Sequence, residues 1–398
     1  MVFGAQVVSY LGDWFAFVAL AGLVEDVTDS RFLVSLVLVS MTIPGLFMSP
    51  IAGSFADRFD RRKILMAVSV LQAFAALLLL LHSAAGIWIT FVSQCLIAGL
   101  ASFVGPSTSA SVPNLVDNED DLRKTNALFG STWGVMLAVG AALGGVFAAV
   151  FGRNAAFIAN AVSFVVAALL FAGVRRPMQS ERTQNSNKGR VRPLADMKEA
   201  INVAKKDPVI LALLCSKMTF AVGAGIVSQL AVLASNVFNV GDSGRGLLIG
   251  VRGIGSGLGP IIGARIAGRD MAKLLKVCGY AGIVFAVCYV GAALSPFIGM
   301  AAVFIALAHL SGGAQWTLST LGLQMESPDH VRGRVMAGDM AMVNTMIGFT
   351  SILAGLTSQL VGVRPAIIIF SAAAAVASVV YLIATAGIIR RLRTSQQH

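Results

Sequence analysis

Apolar runs separated by short polar links fill nearly the whole chain, and their length sets the reading. A helix needs roughly 20 apolar residues to cross a bilayer core. At that length twelve spans are predicted, at about 1–23, 32–55, 64–82, 87–108, 127–150, 154–174, 208–237, 246–268, 274–293, 297–322, 335–358 and 365–389. The seventh is overlong, which predicts a tilt or an earlier end. Met1 opens almost inside the first run, with no basic lead and no cleavage site, so a signal peptide is not expected. Residues 175–207 form the one long polar stretch, and it divides the spans six and six. The expected organisation is therefore an N-terminal half over 1–174, a cytoplasmic linker over 175–207, and a C-terminal half with its tail over 208–398. Within the linker, Leu194, Met197 and Ile201 recur at helical spacing after Pro193 and predict a short surface helix.

Composition agrees. Hydrophobic residues make up 57% of the 398 positions and charged ones 12%, where a soluble chain carries about 25% charged residues. The mean hydropathy is +0.81. A net charge of +11 raises the question of nucleic acid, but the cations lie in short links between apolar runs, so no nucleic-acid partner is expected. The links after spans 2, 4, 6, 8 and 10, with the tail, hold 24 Lys and Arg; the opposite links hold Arg31, Arg153, Arg245 and Arg364. That asymmetry predicts both termini in the cytoplasm. Only Lys217 and Arg252 are left inside spans. Cys95, Cys215, Cys278 and Cys288 all lie in apolar runs, so neither disulfides, a metal nor a cofactor is expected.

The link from Gly53 to Lys63 reads GSFADRFDRRK. Gly53 permits close approach of another helix, and Asp57 stands where a carboxylate can face a helix N-terminus. Arg58, Arg61 and Arg62 can then pair with Asp57 or with lipid phosphates. An ordinary basic loop would not require Gly and Asp at this spacing. The Gly-x-x-x-Asp-Arg-x-x-Arg-Arg pattern resembles the signature loop between helices 2 and 3 of the major facilitator superfamily, although Asp60 occupies a position where many members have Gly. The resemblance implies an all-α membrane fold of twelve helices in two pseudo-symmetric six-helix bundles. It also implies a cavity lined by helices 1, 4, 7 and 10, a start clipped relative to the family, and a conformational-switch role for the loop, its contact with helix 11 holding the outward-open state. Residues 106–116 (PSTSASVPNLV) and 327–335 (SPDHVRGRV) are similar to the branch containing the enterobactin exporter and macrolide efflux proteins. The second stretch supplies Arg332 and Arg334 as a cytoplasmic gate loop.

Helix 5 contains Gly140, Gly144 and Gly145 in a run that resembles the glycine-rich motif of drug–proton antiporters, with Ala141 at the usual proline position. Gly255, Gly259 and Gly263 in helix 8 are four apart and share one face. The two stripes predict close packing of helix 5 on helix 8, with generic helix packing as the alternative.

Interior charges are the candidate chemistry, because ionisable groups in hydrocarbon are costly and face a cavity or a partner. Asp13 lies about 18 Å into helix 1 and shares a face with Gln6, Tyr10 and Phe17. Two readings stand: a proton-binding carboxylate, or a structural one hydrogen-bonded to a neighbouring helix. Lys217 is about 14 Å into helix 7, and Arg252 about 9 Å from the expected start of helix 8, where snorkelling to the interface is open to it. Asp339 falls within a turn of the expected start of helix 11, which suggests a capping role. Two carboxylates against two cations permit internal pairing without saying who meets whom. His309, Gln315 and Trp316 in helix 10 offer polar and aromatic groups to the cavity, His309 either as a proton carrier or as a hydrogen-bonded packing residue.

No ATPase, zinc or nucleophile motif is present, so an enzyme is not expected. The reading is proton-coupled secondary export of a small amphiphilic compound, drug-like or a siderophore, by alternating access. The expected partners are the lipid bilayer, a small-molecule substrate and protons, and the expected setting is a monomer in the cytoplasmic membrane of a bacterium. The alternatives are a facilitator or importer of a polar metabolite, and a ligand sensor that moves nothing.

Overall fold

The computed structural model describes residues 1–116, 119–178, 206–267, 270–327 and 329–395, and they are helical apart from short links. The surface helix expected at Leu194, Met197 and Ile201 lies outside the described residues. Twelve helices are long and apolar enough to cross a membrane. They are α1 (Val2–Thr28), α2 (Arg31–Met48), α3 (Arg61–Ala85), α4 (Trp88–Ser109), α5 (Gly134–Phe151), α6 (Arg153–Ala172), α7 (Pro208–Val237), α8 (Asp242–Ala267), α9 (Met271–Leu294), α10 (Ile298–Glu326), α11 (Gly338–Val361) and α12 (Val363–Thr394). Three of them belong to longer helices: Arg31–Arg58 carries α2, Glu119–Phe151 carries α5, and Asp329–Val361 carries α11.

Hydrocarbon offers no water to peptide groups, so the chain must satisfy its own hydrogen bonds, and helices do so within one segment. Their ends need separate partners. Ser30 caps α2 through Leu33 N (3.2 Å), Asp207 caps α7 through Val209 N (2.8 Å) ahead of Pro208, and Asp270 caps α9 through Lys273 N (3.0 Å). Asp60, the departure from the family loop, caps α3 by accepting from Arg62 N (2.9 Å) and Lys63 N (3.2 Å). The overlong α7 does not end early. It changes winding instead, with a 3₁₀ stretch at Gly225–Gln229 and a π turn at Leu233–Val237.

The chain forms two compact units. One comprises Met1–Val191 with Val240–Gly250, the other Arg192–Asn239 with Val251–His398. In the first, α1 packs on α5 and α6, and α3 packs on α4 and α6. In the second, α7 packs on α11 and α12, and α9 packs on α10 and α12. The same neighbours recur six helices later. The links repeat too: Gly152 (φ 84°) joins α5 to α6 and Gly362 (φ 97°) joins α11 to α12, each a left-handed position that a side chain would strain.

The expected close packing of α5 on α8 is present, through Gly145 and Gly250, while the other stripe glycines meet different helices. Side chains built at Gly140 and Gly144 would run into α1, at 2.8 Å from Trp14 Cβ and 2.7 Å from Phe15 Cα. Gly145 does face α8, but at Gly246. Gly255, Gly259 and Gly263 lie on α10, against His309, Leu310, Gly313 and Ala314. Four-residue spacing fixes a common face, and each helix has more than one neighbour that a bare backbone can approach.

Gly144→Leu should therefore push α5 off α1 and lower the thermal stability of the purified protein by about 1–3 kcal/mol, the usual cost of overpacking. Gly257→Leu, with open space around its Cβ position, should leave stability unchanged. Equal melting of the two variants would refute the α1 contact.

Candidate functional site

The second unit holds a buried ion pair. Lys217 on α7 donates from Nζ to Asp339 Oδ2 and to Thr320 Oγ1 (2.8 Å), and both charged side chains are 1% exposed. The Trp316 ring centroid lies 5.0 Å from Nζ, close enough for a cation–π contact. Asp339 Oδ1 is buried without a partner. The helix carrying Asp339 begins at Asp329 rather than near 335, which puts the carboxylate about 15 Å along it instead of at a cap. Gln315, expected to face a cavity, is fully buried between helices. Its Nε2 donates to Ser216 O (2.6 Å) and Thr219 Oγ1 (2.8 Å), and Ser319 adds a bond to Leu213 O (2.8 Å), so α10 is fastened to α7. His309 is also buried, with Nε2 2.7 Å from Tyr289 Oη.

In the first unit Asp13 sits near the middle of α1, half-buried, with the side-chain amide of Asn160 on α6 in hydrogen-bonding contact. Gly12 brings the two helices together, since a side chain there would lie 2.6 Å from Asn160 Oδ1. About two turns before Asp13, Gln6 Nε2 donates to Tyr10 Oη (3.0 Å). No described cation pairs with Asp13.

A second charged cluster of the first unit was not foreseen. Arg245, 2% exposed, donates to Glu25 Oε2 (2.7 Å), Asp26 Oδ1 (3.2 Å) and Asp242 Oδ1 (2.6 Å). Arg153 donates to Asp242 Oδ2 (2.9 Å) and Asp26 Oδ2 (2.7 Å). Gly22 makes the room, because a side chain there would lie 2.7 Å from Arg245 and 2.9 Å from Arg153. The network holds the end of α1 to the starts of α6 and α8. Its sequence signal is an acidic pair in the last turn of α1, set against two of the few cations in the sparsely basic links.

The loop after α2 contributes helix-end contacts. Arg61 is buried and donates from Nε to Ala56 O (3.0 Å) and from Nη1 to Met178 O (3.2 Å), and Arg62 donates to Ala172 O at the end of α6. Cations suit such carbonyl ends. The side chains of Asp57 and Arg58, the environment of Gly53, and the side chains of Arg332 and Arg334 lie outside the described residues.

Replacing Lys217 by Met or Asp339 by Leu should each cost about 3–5 kcal/mol, because one buried charge is left alone. The double variant should recover most of that loss in thermal unfolding. Additive single effects would show that the pair is not coupled. Arg245→Met should likewise destabilise more than Arg153→Met, whose carboxylate partner Asp26 is 54% exposed.

The profile of the transmembrane secretion effector family, within the major facilitator superfamily, matches residues 1–394. The candidate bacilysin exporter BacE of Bacillus amyloliquefaciens is 23% identical over 357 residues, covering 89% of this chain and 86% of that protein. The staphyloferrin A transporter of Staphylococcus aureus is 24% identical over 374 residues, covering 91% and 89%. Among solved structures, a bacterial homologue of the human lysosomal transporter Spinster superposes with a TM-score of 0.76 at 13% identity, over 96% of each chain, which supports the fold. The chain therefore belongs to the transmembrane secretion effector family and is a multi-pass transporter of the major facilitator superfamily, not an enzyme.

Proposed function

We propose that the protein exports a small amphiphilic compound, drug-like or a siderophore, in exchange for protons. Asp13 carries this reading. Its carboxylate is held at mid-helix by an amide and faces no described cation. Ionised in hydrocarbon, such a group is costly, and taking up a proton removes the cost. Asp339 differs, because Lys217 compensates its charge and lets it stay ionised through a cycle. Relatives named for export support the outward direction.

Alternating access about a midplane site then requires contacts that form in one state and break in another. The loop carboxylate Asp57, on the family resemblance, and Arg332 and Arg334, which fall in the first turns of the helix carrying α11 rather than in a loop, are the groups assigned to one set. The charges on Glu25, Asp242 and Arg245 are assigned to the other, since their release frees the start of α8 from α1. Both termini face the cytoplasm on the 24 against four count of Lys and Arg. The protein works as a monomer in the cytoplasmic membrane of a bacterium, with 1–174 and 208–398 as its two halves and 175–207 as their linker.

The test begins with compounds whose cellular accumulation rises when the gene is deleted, followed by transport in liposomes under an imposed pH gradient. Asp13→Asn keeps the size of the side chain and removes its titration. It should abolish concentration of the compound against its gradient while downhill exchange continues. A variant that still concentrates the compound with normal pH dependence would move the proton site elsewhere. Binding without any counterflow in the native protein would favour the sensor.

A further inference from the structure

Among the described residues, Arg252 is a cation within a span that no carboxylate meets. Lys217 and Arg245 are each set against carboxylates, whereas Arg252 makes no ion pair with a described residue, and its Nε is buried without a hydrogen-bond partner. Helix α8 runs from Asp242 to Ala267, and Arg252 lies about 15 Å along it, inside the span. Its Nε is enclosed by the protein at that point of the helix. Gly255, one turn on, lies against His309 Cβ at 3.0 Å and sets Arg252 beside α10.

The surroundings are aromatic and neutral. Tyr289 and His309 are the titratable groups in electrostatic range of Arg252, and they are bonded to each other, so neither supplies an anion. Phe285 stacks on Tyr289 at 4.7 Å and on Phe220 at 4.9 Å, and Phe220 meets Trp316 at 6.3 Å. Arg252, Phe220 and Trp316 are half-exposed, whereas Tyr289, Phe285 and His309 behind them are buried. A guanidinium in hydrocarbon faces a cavity or a partner, and its planar fork matches a carboxylate.

We propose that Arg252 is an anion-recognition subsite whose guanidinium takes a carboxylate of the transported amphiphile, while the apolar body of that molecule lies along Phe220 and Trp316. The subsite rests on the exporter reading above, and it names the cargo class as amphiphiles bearing an acid group.

The probes are dansylglycine and its neutral amide, which share an apolar body and differ in one charge. Binding is read from dansyl fluorescence on the purified full-length protein in detergent. The native protein should prefer the acid by about tenfold or more, the worth of a charge-assisted bond. Arg252→Gln should erase that preference and leave amide binding unchanged. Arg252→Met, which puts no polar group in the hydrocarbon, serves as a second variant if the first does not fold. Equal binding of acid and amide by the native protein, absent acid binding, or an unchanged preference in a folded variant would each overturn the subsite. A preference erased by phosphatidylglycerol vesicles but not by acetate would assign Arg252 to a lipid headgroup and overturn it as well. The assay needs neither a pH gradient nor transport, so a native protein that binds the acid selectively yet moves nothing would sink the exporter reading and spare the subsite.

Discussion

Charge inside hydrocarbon has to be matched, and that constraint sorts the interior of this protein. Lys217 is matched by Asp339, and Arg245 by Glu25 and Asp242. Such pairs are weak evidence of stabilisation, since well-packed apolar residues would serve as well or better. Their value is conditional. Each fixes a specific pair of helices only while both charges remain ionised, so a proton or a competing ion can release it. Asp13 and Arg252, one in each unit, lie well inside spans and form no ion pair with a described residue. The matched charges tie helices together, and Asp13 and Arg252 are the groups to which we assign the chemistry.

Packing follows from a second property of the same solvent. Lipid tails are as apolar as leucine, so no hydrophobic force draws one membrane helix to another, and close backbone contact must do it. Gly12, Gly144 and Gly259 each sit where a side chain would collide with a neighbouring helix. Polar fasteners then set the register. Gln315 and Ser319 bond backbone carbonyls of α7, and Arg62 reaches a carbonyl at the end of α6. Interfaces built this way are specific and contain few long side chains to rearrange.

The twelve spans were legible because run length alone reports them. Helix starts were not, because hydropathy marks where the chain becomes apolar and the helix begins earlier, at polar residues. Asp339 was read as a cap because the stretch from Asp329 is polar, although it is already helical. Arg252 lies further along its helix than the apolar run suggests, because α8 starts at Asp242. The pairing of Glu25 with Arg245 spans 220 positions along the chain, and composition weighs such charges only for orientation. The family loop was legible as a pattern, and Asp60, its departure, proved to be the cap of α3.

The two unmatched groups constrain the energetics together. If Asp13 carries a proton inward and Arg252 carries an acid outward, both movements shift positive charge in the same direction. One exchange then moves two elementary charges across the bilayer, each worth about 2.3 kcal/mol per 100 mV. Membrane potential and pH gradient would both drive export, and the potential would contribute even where the pH gradient is small. A neutral cargo would halve the charge moved, and a cationic one exchanged for a single proton would cancel it. The sign of the cargo thus decides how much of the gradient the protein can use, and Arg252 is the residue to which we assign that selection.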